Sequence, residues 1–155
     1  MDATAESTTV VREIAIAARP ETVWELLVDP EQAVRWMGMT ASFDLRAGGL
    51  YRVEVIPGHT SRGEFVEIDP PHRLVHTFGW EPESGSIVAA GSTTIEYELV
   101  PDGDGTLLRF THRDLPNADA VASHAHGWEH YLARLVTVAT GGDAGADPWQ
   151  SGDMT

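Results

Sequence analysis

Alternating apolar and polar positions occupy the middle of the chain, between residues 43 and 112. A period of two predicts strands with one covered face and one wet face, and clusters of Gly, Pro and Asp separate these strands as turns. Strands are predicted over residues 9–17, 42–45, 50–56, 61–68, 73–80, 92–100 and 106–113. Because the connections between consecutive strands are short, we expect antiparallel pairing.

Helical spacing of three and four replaces this pattern at both ends of the strand region. Pro20 suits the first position of a short helix, and Pro30 starts a second one that extends to Trp36. A long helix is predicted over residues 117–140, where one apolar and aromatic stripe contains Val121, His124, Trp128, Tyr131, Leu132 and Leu135.

These elements predict a single α+β domain over residues 9–140. It contains two short helices after the first strand, an antiparallel sheet of six to seven strands and a long C-terminal helix. Residues 1–8 and 141–155 lack periodicity, and the latter are rich in Gly and Asp, so both segments are predicted to be disordered.

The charge balance excludes several classes of partner. The chain carries 24 acidic residues against 10 basic ones, a net charge of −14, and all ten bases are arginine. This excess argues against nucleic acids and anionic membranes, which both need clustered cations. Without cysteine or lysine, thiol nucleophiles, disulfides and Schiff bases are excluded. With no signal peptide or membrane-length apolar segment, we expect a cytoplasmic protein.

The inward positions of the strands and of the long helix are rich in aromatic residues. If a bent sheet wraps around the helix and these side chains do not fill the space, a ligand cavity results. The predicted ligand-binding residues are Trp36, Tyr51, Leu74, His76, Phe78, Trp80, Tyr97, Phe110, His112, His124, Trp128 and Tyr131. Trp128 and Tyr131 fit a ligand-stacking platform and a filled core equally well.

Histidines are the main candidates for chemistry. His76 and His112 both fall on the inward face, where an imidazole can act as an acid or a base; the alternative is a half-buried, hydrogen-bonded histidine. His126 and His130 are four residues apart on one helix face, which is a possible half of a zinc site, but surface histidines are the simpler interpretation. We expect no metal and no cofactor.

The order of several short motifs resembles a known superfamily. These motifs are the helix opening 20–24 (PETVW), 43–49 (FDLRAGG), 71–74 (PHRL), 78–80 (FGW) and the Gly127-Trp128 pair. Together they resemble the START-like, or SRPBCC, superfamily of polyketide cyclases and lipid-transport proteins, and within it the branch named after the activator of the heat-shock-protein-90 ATPase. The resemblance implies a helix-grip fold, in which a curved sheet encloses a ligand cavity against the last helix.

The leading functional hypothesis is therefore binding of a small hydrophobic or aromatic molecule by a monomer or homodimer, with antibiotic self-resistance by sequestration as a more specific version. A cyclase- or hydratase-like enzyme that uses the cavity histidines is one alternative. A chaperone ATPase co-regulator is another, although the additional domain of eukaryotic activators is not expected here. The family resemblance does not choose among these roles.

Overall fold

The computed structural model describes residues 8–152 of the chain. One seven-stranded antiparallel sheet has the order β1-β7-β6-β5-β4-β3-β2, so β2 to β7 form a meander and β1 joins the far edge beside β7. The strands are β1 (Val10–Ile16), β2 (Thr40–Phe43), β3 (Leu50–Ile56), β4 (His59–Asp69), β5 (Arg73–Phe78), β6 (Thr93–Asp102) and β7 (Gly105–Arg113). The predicted α+β class and the sheet of up to seven strands are confirmed.

Two short helices connect the edge strands β1 and β2. α1 (Pro20–Val28) begins with Pro20, and α2 (Pro30–Ala33) is capped by the Asp29 side chain, which accepts a hydrogen bond from the Glu31 N–H at 3.0 Å. The second helix is shorter than predicted, because the chain turns after Ala33. Trp36 is buried in this turn, where its indole N–H donates to the Leu26 carbonyl at 2.8 Å.

The long helix α3 (Ala118–Ala139) packs against the sheet through its buried face. Asn117 caps it by accepting a hydrogen bond from the Ala120 N–H at 2.8 Å. Trp128 lies over β7 and β5, with ring centroids 4.6 Å from Phe110 and 6.0 Å from Phe78. Register shifts in β3 and β4 interrupt their pairing with neighbouring strands. Bulges of this kind bend a sheet, as the helix-grip arrangement requires.

The two predicted disordered ends have different outcomes. Residues 1–7 lie outside the described part of the chain, and the carbonyl of Thr8 accepts a hydrogen bond from the Leu115 N–H at 3.1 Å. Residues 141–152, called here the C-terminal strap, depart from the prediction, since they run back along α3 and end in a 3₁₀ helix, Pro148–Ser151. Residues 153–155 lie outside the described part.

Trp149 and Arg134 are among the side chains that hold the strap in place. Trp149 is only 6% exposed and packs on α3. The Arg134 guanidinium donates hydrogen bonds to the carbonyls of Trp36, Ala144 and Gly145 at 3.0, 3.1 and 2.9 Å. The strap has no sequence periodicity, yet it is ordered because single side chains, such as the Trp149 indole and the Arg134 guanidinium, fix it. Isolated residues of this kind leave no repeating pattern in the sequence.

Candidate functional site

The space between the middle of the sheet and the helices is filled. The His76 ring stacks on Tyr51 with centroids 3.9 Å apart, and Tyr97 lies on the other side at 6.2 Å. The internal space bordered by these rings is about 10 Å³, enough for one water molecule at most. Five of the predicted ligand-binding residues lie around this small space: Trp36, Tyr51, Leu74, His76 and Tyr97.

A larger cleft of about 340 Å³ opens beside the first half and the middle of α3. It is bounded by α3, the ends of β3 and β5, the loop 79–92 and the strap. Five predicted residues line it: Phe78, Trp80, His124, Trp128 and Tyr131. The other lining residues are absent from the predicted ligand-binding set; they are Met37, Val55, Ile56, His59, Ser84, Gly85, Ser86, Ser123, Gly127 and Trp149. Phe110 and His112 lie outside this lining, in contact with Trp128.

A chain of hydrogen bonds fixes Trp128 against the sheet. Its indole N–H donates to His112 Nδ1 at 3.0 Å, and His112 Nε2 lies 2.8 Å from the Thr93 hydroxyl. That hydroxyl donates to the Phe78 carbonyl at 2.6 Å. Because Nδ1 accepts a hydrogen bond, the proton of the neutral His112 ring sits on Nε2. That N–H donates a hydrogen bond to the Thr93 hydroxyl oxygen. Burial lowers the pKa of His112 to about 3.

The second indole at the cleft is held in the same way. Trp80 donates its N–H to His124 Nε2 at 3.0 Å, and His124 Nδ1 donates to the Ala120 carbonyl at 2.7 Å. Burial lowers the pKa of His124. Both ring nitrogens of His112 and of His124 are therefore engaged within the protein, and neither ring presents a free nitrogen to the cleft.

His76 belongs to the core and not to the cleft. His76 is 1% exposed, and its Nδ1 lies 2.7 Å from the Thr77 carbonyl oxygen. Because a carbonyl only accepts, Nδ1 carries the proton of the ring and donates it in this hydrogen bond. Burial lowers the pKa of His76 to about 4. The two histidines predicted as acid–base groups are thus separated: His76 packs on Tyr51 in the core, and His112 lies behind Trp128 at the cleft.

The strap supplies the outer wall of the cleft through Trp149. Its ring stacks on His130 with centroids 3.9 Å apart and an interplanar angle of 9°, and His126 lies 5.2 Å away. The two histidines of the possible zinc half-site therefore support an indole. Among residues 8–152, no group of three or more metal-ligating side chains is arranged to hold a metal ion.

Asp147 ties the strap to α3. Its carboxylate accepts hydrogen bonds from the Tyr131 hydroxyl at 2.7 Å, from His130 Nε2 at 2.8 Å and from the Trp149 N–H at 3.0 Å. Burial acts to raise the pKa of Asp147, but these hydrogen bonds outweigh it and hold the pKa below its usual value. A Trp in a polar tail was the only sequence signal for this wall.

The helix wall has a glycine at its centre. Gly127 is in the middle of α3, where glycine costs about 1 kcal/mol relative to alanine. A Cβ placed there would meet no atom within 4 Å, so no packing contact requires the glycine. Its missing side chain instead widens the cleft.

The comparisons with known proteins agree with this architecture. The family model described as Activator of Hsp90 ATPase homolog 1-like protein matches residues 17–140. An AHSA1-like protein from Rhizobium etli is 48% identical over 93% of this chain and 89% of its own, with a TM-score of 0.74. No match was found among curated proteins.

Two more distant structures share the fold. DynU16, from the dynemicin biosynthetic locus, is 21% identical over 88% of this chain and 49% of its own, with a TM-score of 0.75. The Aha1 dimer from Colwellia psychrerythraea is 18% identical over 86% of this chain and 97% of its own, with a TM-score of 0.73. In the described part of the present chain, no helix has both the length and the apolarity to cross a membrane. The resemblance seen in the sequence is confirmed, and the chain belongs to the family of Activator of Hsp90 ATPase homolog 1-like proteins.

Proposed function

We propose that this protein binds a small hydrophobic or aromatic molecule in the cleft between α3, the loop 79–92 and the strap. The observation that carries the proposal is the cleft itself: its volume of about 340 Å³ lies within the range of small-molecule sites, and most of its lining is aromatic or aliphatic. This location is displaced from the predicted one, because the side chains of the sheet interior pack together.

Two features of the wall support a binding role. The indoles of Trp80 and Trp128 are held by hydrogen bonds to histidines, so these aromatic surfaces are fixed before a ligand arrives. Fixed surfaces reduce the conformational entropy that a ligand must overcome on binding. Gly127 keeps space open at a position where alanine would favour the helix.

A titration with N-phenyl-1-naphthylamine, an uncharged aromatic probe, tests the proposal through its increase in fluorescence. We expect saturable binding to the purified protein. Gly127→Leu should abolish it, because the new side chain enters the cleft. Ala133→Leu is the matched control on the exposed side of the same helix and should bind normally. If Gly127→Leu folds normally and still binds the probe, the cleft is not the site.

Sequestration of a natural product is the more specific version of this proposal. The structural neighbour DynU16 comes from a biosynthetic locus, which is the observation that favours it. Mass spectrometry of small molecules that co-purify with this protein tests the idea. An aromatic natural product recovered with the wild-type protein and lost from Gly127→Leu is the expected result; recovery in equal amounts from both would contradict it.

The enzyme alternative, in which the predicted histidines act as acid or base, has less support from the geometry. General acid–base catalysis needs a nitrogen within hydrogen-bond reach of the substrate. The nitrogens of His112 and His124 are already engaged, and His76 borders only the 10 Å³ space. The chaperone alternative stays a prediction, which gel filtration with a chaperone ATPase tests directly.

A further inference from the structure

The charges around the cleft define which ligands it accepts. Among the described residues, none that lines the cleft is Asp, Glu or Arg. Its two histidines are His124, whose ring nitrogens are both engaged, and His59, whose Nδ1 lies 3.3 Å from the Pro57 carbonyl oxygen. We infer that the cleft selects uncharged aromatic molecules and rejects carboxylates and sulfonates of the same shape. This inference rests on the proposed binding function and narrows it to a chemical class.

The arginines of the strap side and of the loop side of the cleft are already occupied. Arg134, which supports the strap, donates to three backbone carbonyls. Arg52 donates twice to the Glu81 carboxylate, at 2.9 and 3.1 Å, and Arg62 lies 3.3 Å from the same group. An anion that enters the cleft therefore loses its hydration without gaining a free guanidinium partner, which is costly in a site of low polarity. The net charge of −14 adds a repulsive field.

The polar atoms of the wall also oppose strongly polar ligands. The indole N–H groups of Trp80 and Trp128 donate to histidines, so they are not free to bind a ligand oxygen. Burial of an anion against such a wall leaves its oxygens without donors. An apolar ring makes no such demand and gains contact with the same aromatic faces.

Hydroxyl groups are concentrated in the loop 79–92 and on the first half of α3. Ser84 Oγ accepts from the Ser86 N–H and Ser86 Oγ accepts from the Val88 N–H, each at 3.1 Å. Within residues 8–152, no hydrogen bond is donated by these two hydroxyls or by that of Ser123, which also lines the cleft. The chemical class that fits best is thus an uncharged aromatic molecule with a neutral hydrogen-bond acceptor, such as a ketone or ether, at one end.

Two probes with the same anilinonaphthalene skeleton test this inference. N-phenyl-1-naphthylamine is uncharged, and 1-anilinonaphthalene-8-sulfonate differs from it by one sulfonate. We expect the uncharged probe to bind at least about tenfold more tightly to the wild-type protein, since the sulfonate finds no cation. Equal affinities, or tighter binding of the sulfonate, would overturn the selectivity but leave the binding function intact. No binding of either probe would remove the proposed function itself.

A variant with a positive charge in the cleft wall tests whether the weak sulfonate binding is caused by the missing cation or only by the lower hydrophobicity of that probe. Ser123→Arg places a cation at the exposed edge of the cleft and should raise the ratio of sulfonate affinity to uncharged-probe affinity by about fivefold or more. Asp104→Asn makes the same change in net charge in an exposed turn and should leave both affinities unchanged. Ser86→Arg provides a second placement if Ser123→Arg does not fold. An affinity ratio that stays constant in a folded cleft variant contradicts the inference.

Discussion

Moderate acid should destabilise this protein well before its carboxylates titrate. His76 and His112 are buried as neutral rings, and burial lowers their pKa values from 6.5 to about 4 and about 3. In the unfolded chain both rings take up a proton below pH 6.5, whereas in the folded protein they stay neutral. The unfolded state therefore binds more protons between pH 6.5 and pH 4, and stability falls as the pH falls through this window.

The size of this loss in the free energy of unfolding depends on the number of histidine rings that are buried in the neutral form. Each one lowers the free energy of unfolding by about 1.4 kcal/mol per pH unit once the pH is well below 6.5. His76 and His112 together should give a slope of about 2.7 kcal/mol per pH unit and a loss of about 4 kcal/mol at pH 5 relative to pH 7.5. The lowered pKa of His124 acts in the same direction. A loss of this size is a large part of the stability of an ordinary domain.

Urea unfolding followed by tryptophan fluorescence measures this loss at half-unit steps from pH 7.5 to pH 5.0. His76→Phe, which keeps a ring against Tyr51, should remove about 1.4 kcal/mol per pH unit from the slope. Phe110→Leu is the control, because it destabilises the core without removing a titratable group and should leave the slope unchanged. A wild-type slope below about 1 kcal/mol per pH unit, or an unchanged slope in His76→Phe, would refute the reasoning.

Four further substitutions have definite expected outcomes. Gly63→Ala should destabilise the protein by about 1–3 kcal/mol, measured by urea unfolding, because the new Cβ would lie 1.9 Å from the Thr77 carbonyl oxygen; Gly127→Ala, where nothing lies within 4 Å, should not destabilise it. Trp128→Phe should lower the free energy of unfolding by about 1–3 kcal/mol, since it leaves a buried imidazole nitrogen without a donor; an unchanged midpoint would contradict that role. Asp147→Ala should release the strap, which faster amide exchange at Trp149 would report while β6 and β7 stay protected.

Most of the fold could be predicted from the sequence because its elements have clear periods. The alternation along β6 places Thr93, Ile95, Tyr97 and Leu99 on the buried face, as the structure shows. The long helix differs from its predicted span of 117–140 by one residue at each end, since Asn117 is its cap. At β5 the predicted strand was too long: pairing with β6 ends at Phe78, and Trp80 instead forms isolated bridges with Ser61 and Ala89.

The cleft could be predicted only in part, because periodicity shows which side chains point inward and not whether they meet. His76 and Tyr51 were expected to face a cavity, but their rings stack directly on each other. Alternation also carries no information about irregular segments. Ser84 and Ser86 in the loop 79–92 and Trp149 in the strap contribute to the cleft from stretches without a period.

The two tryptophan–histidine hydrogen bonds explain how an open cleft persists beside a filled core. An aromatic wall next to empty space tends to rotate inward and close it, since an unfilled apolar surface loses packing contacts. Rotation of Trp80 or Trp128 into the cleft would break its bond to His124 or His112, at a cost of about 1–3 kcal/mol for each buried nitrogen left unpaired. His112, which the sequence suggested as an acid–base group, thus acts on the cleft through the orientation of Trp128, and His124 acts in the same way through Trp80. The same bonds require neutral rings, so the part of the acid sensitivity that comes from His112 and His124 has the same origin as the shape of the cleft.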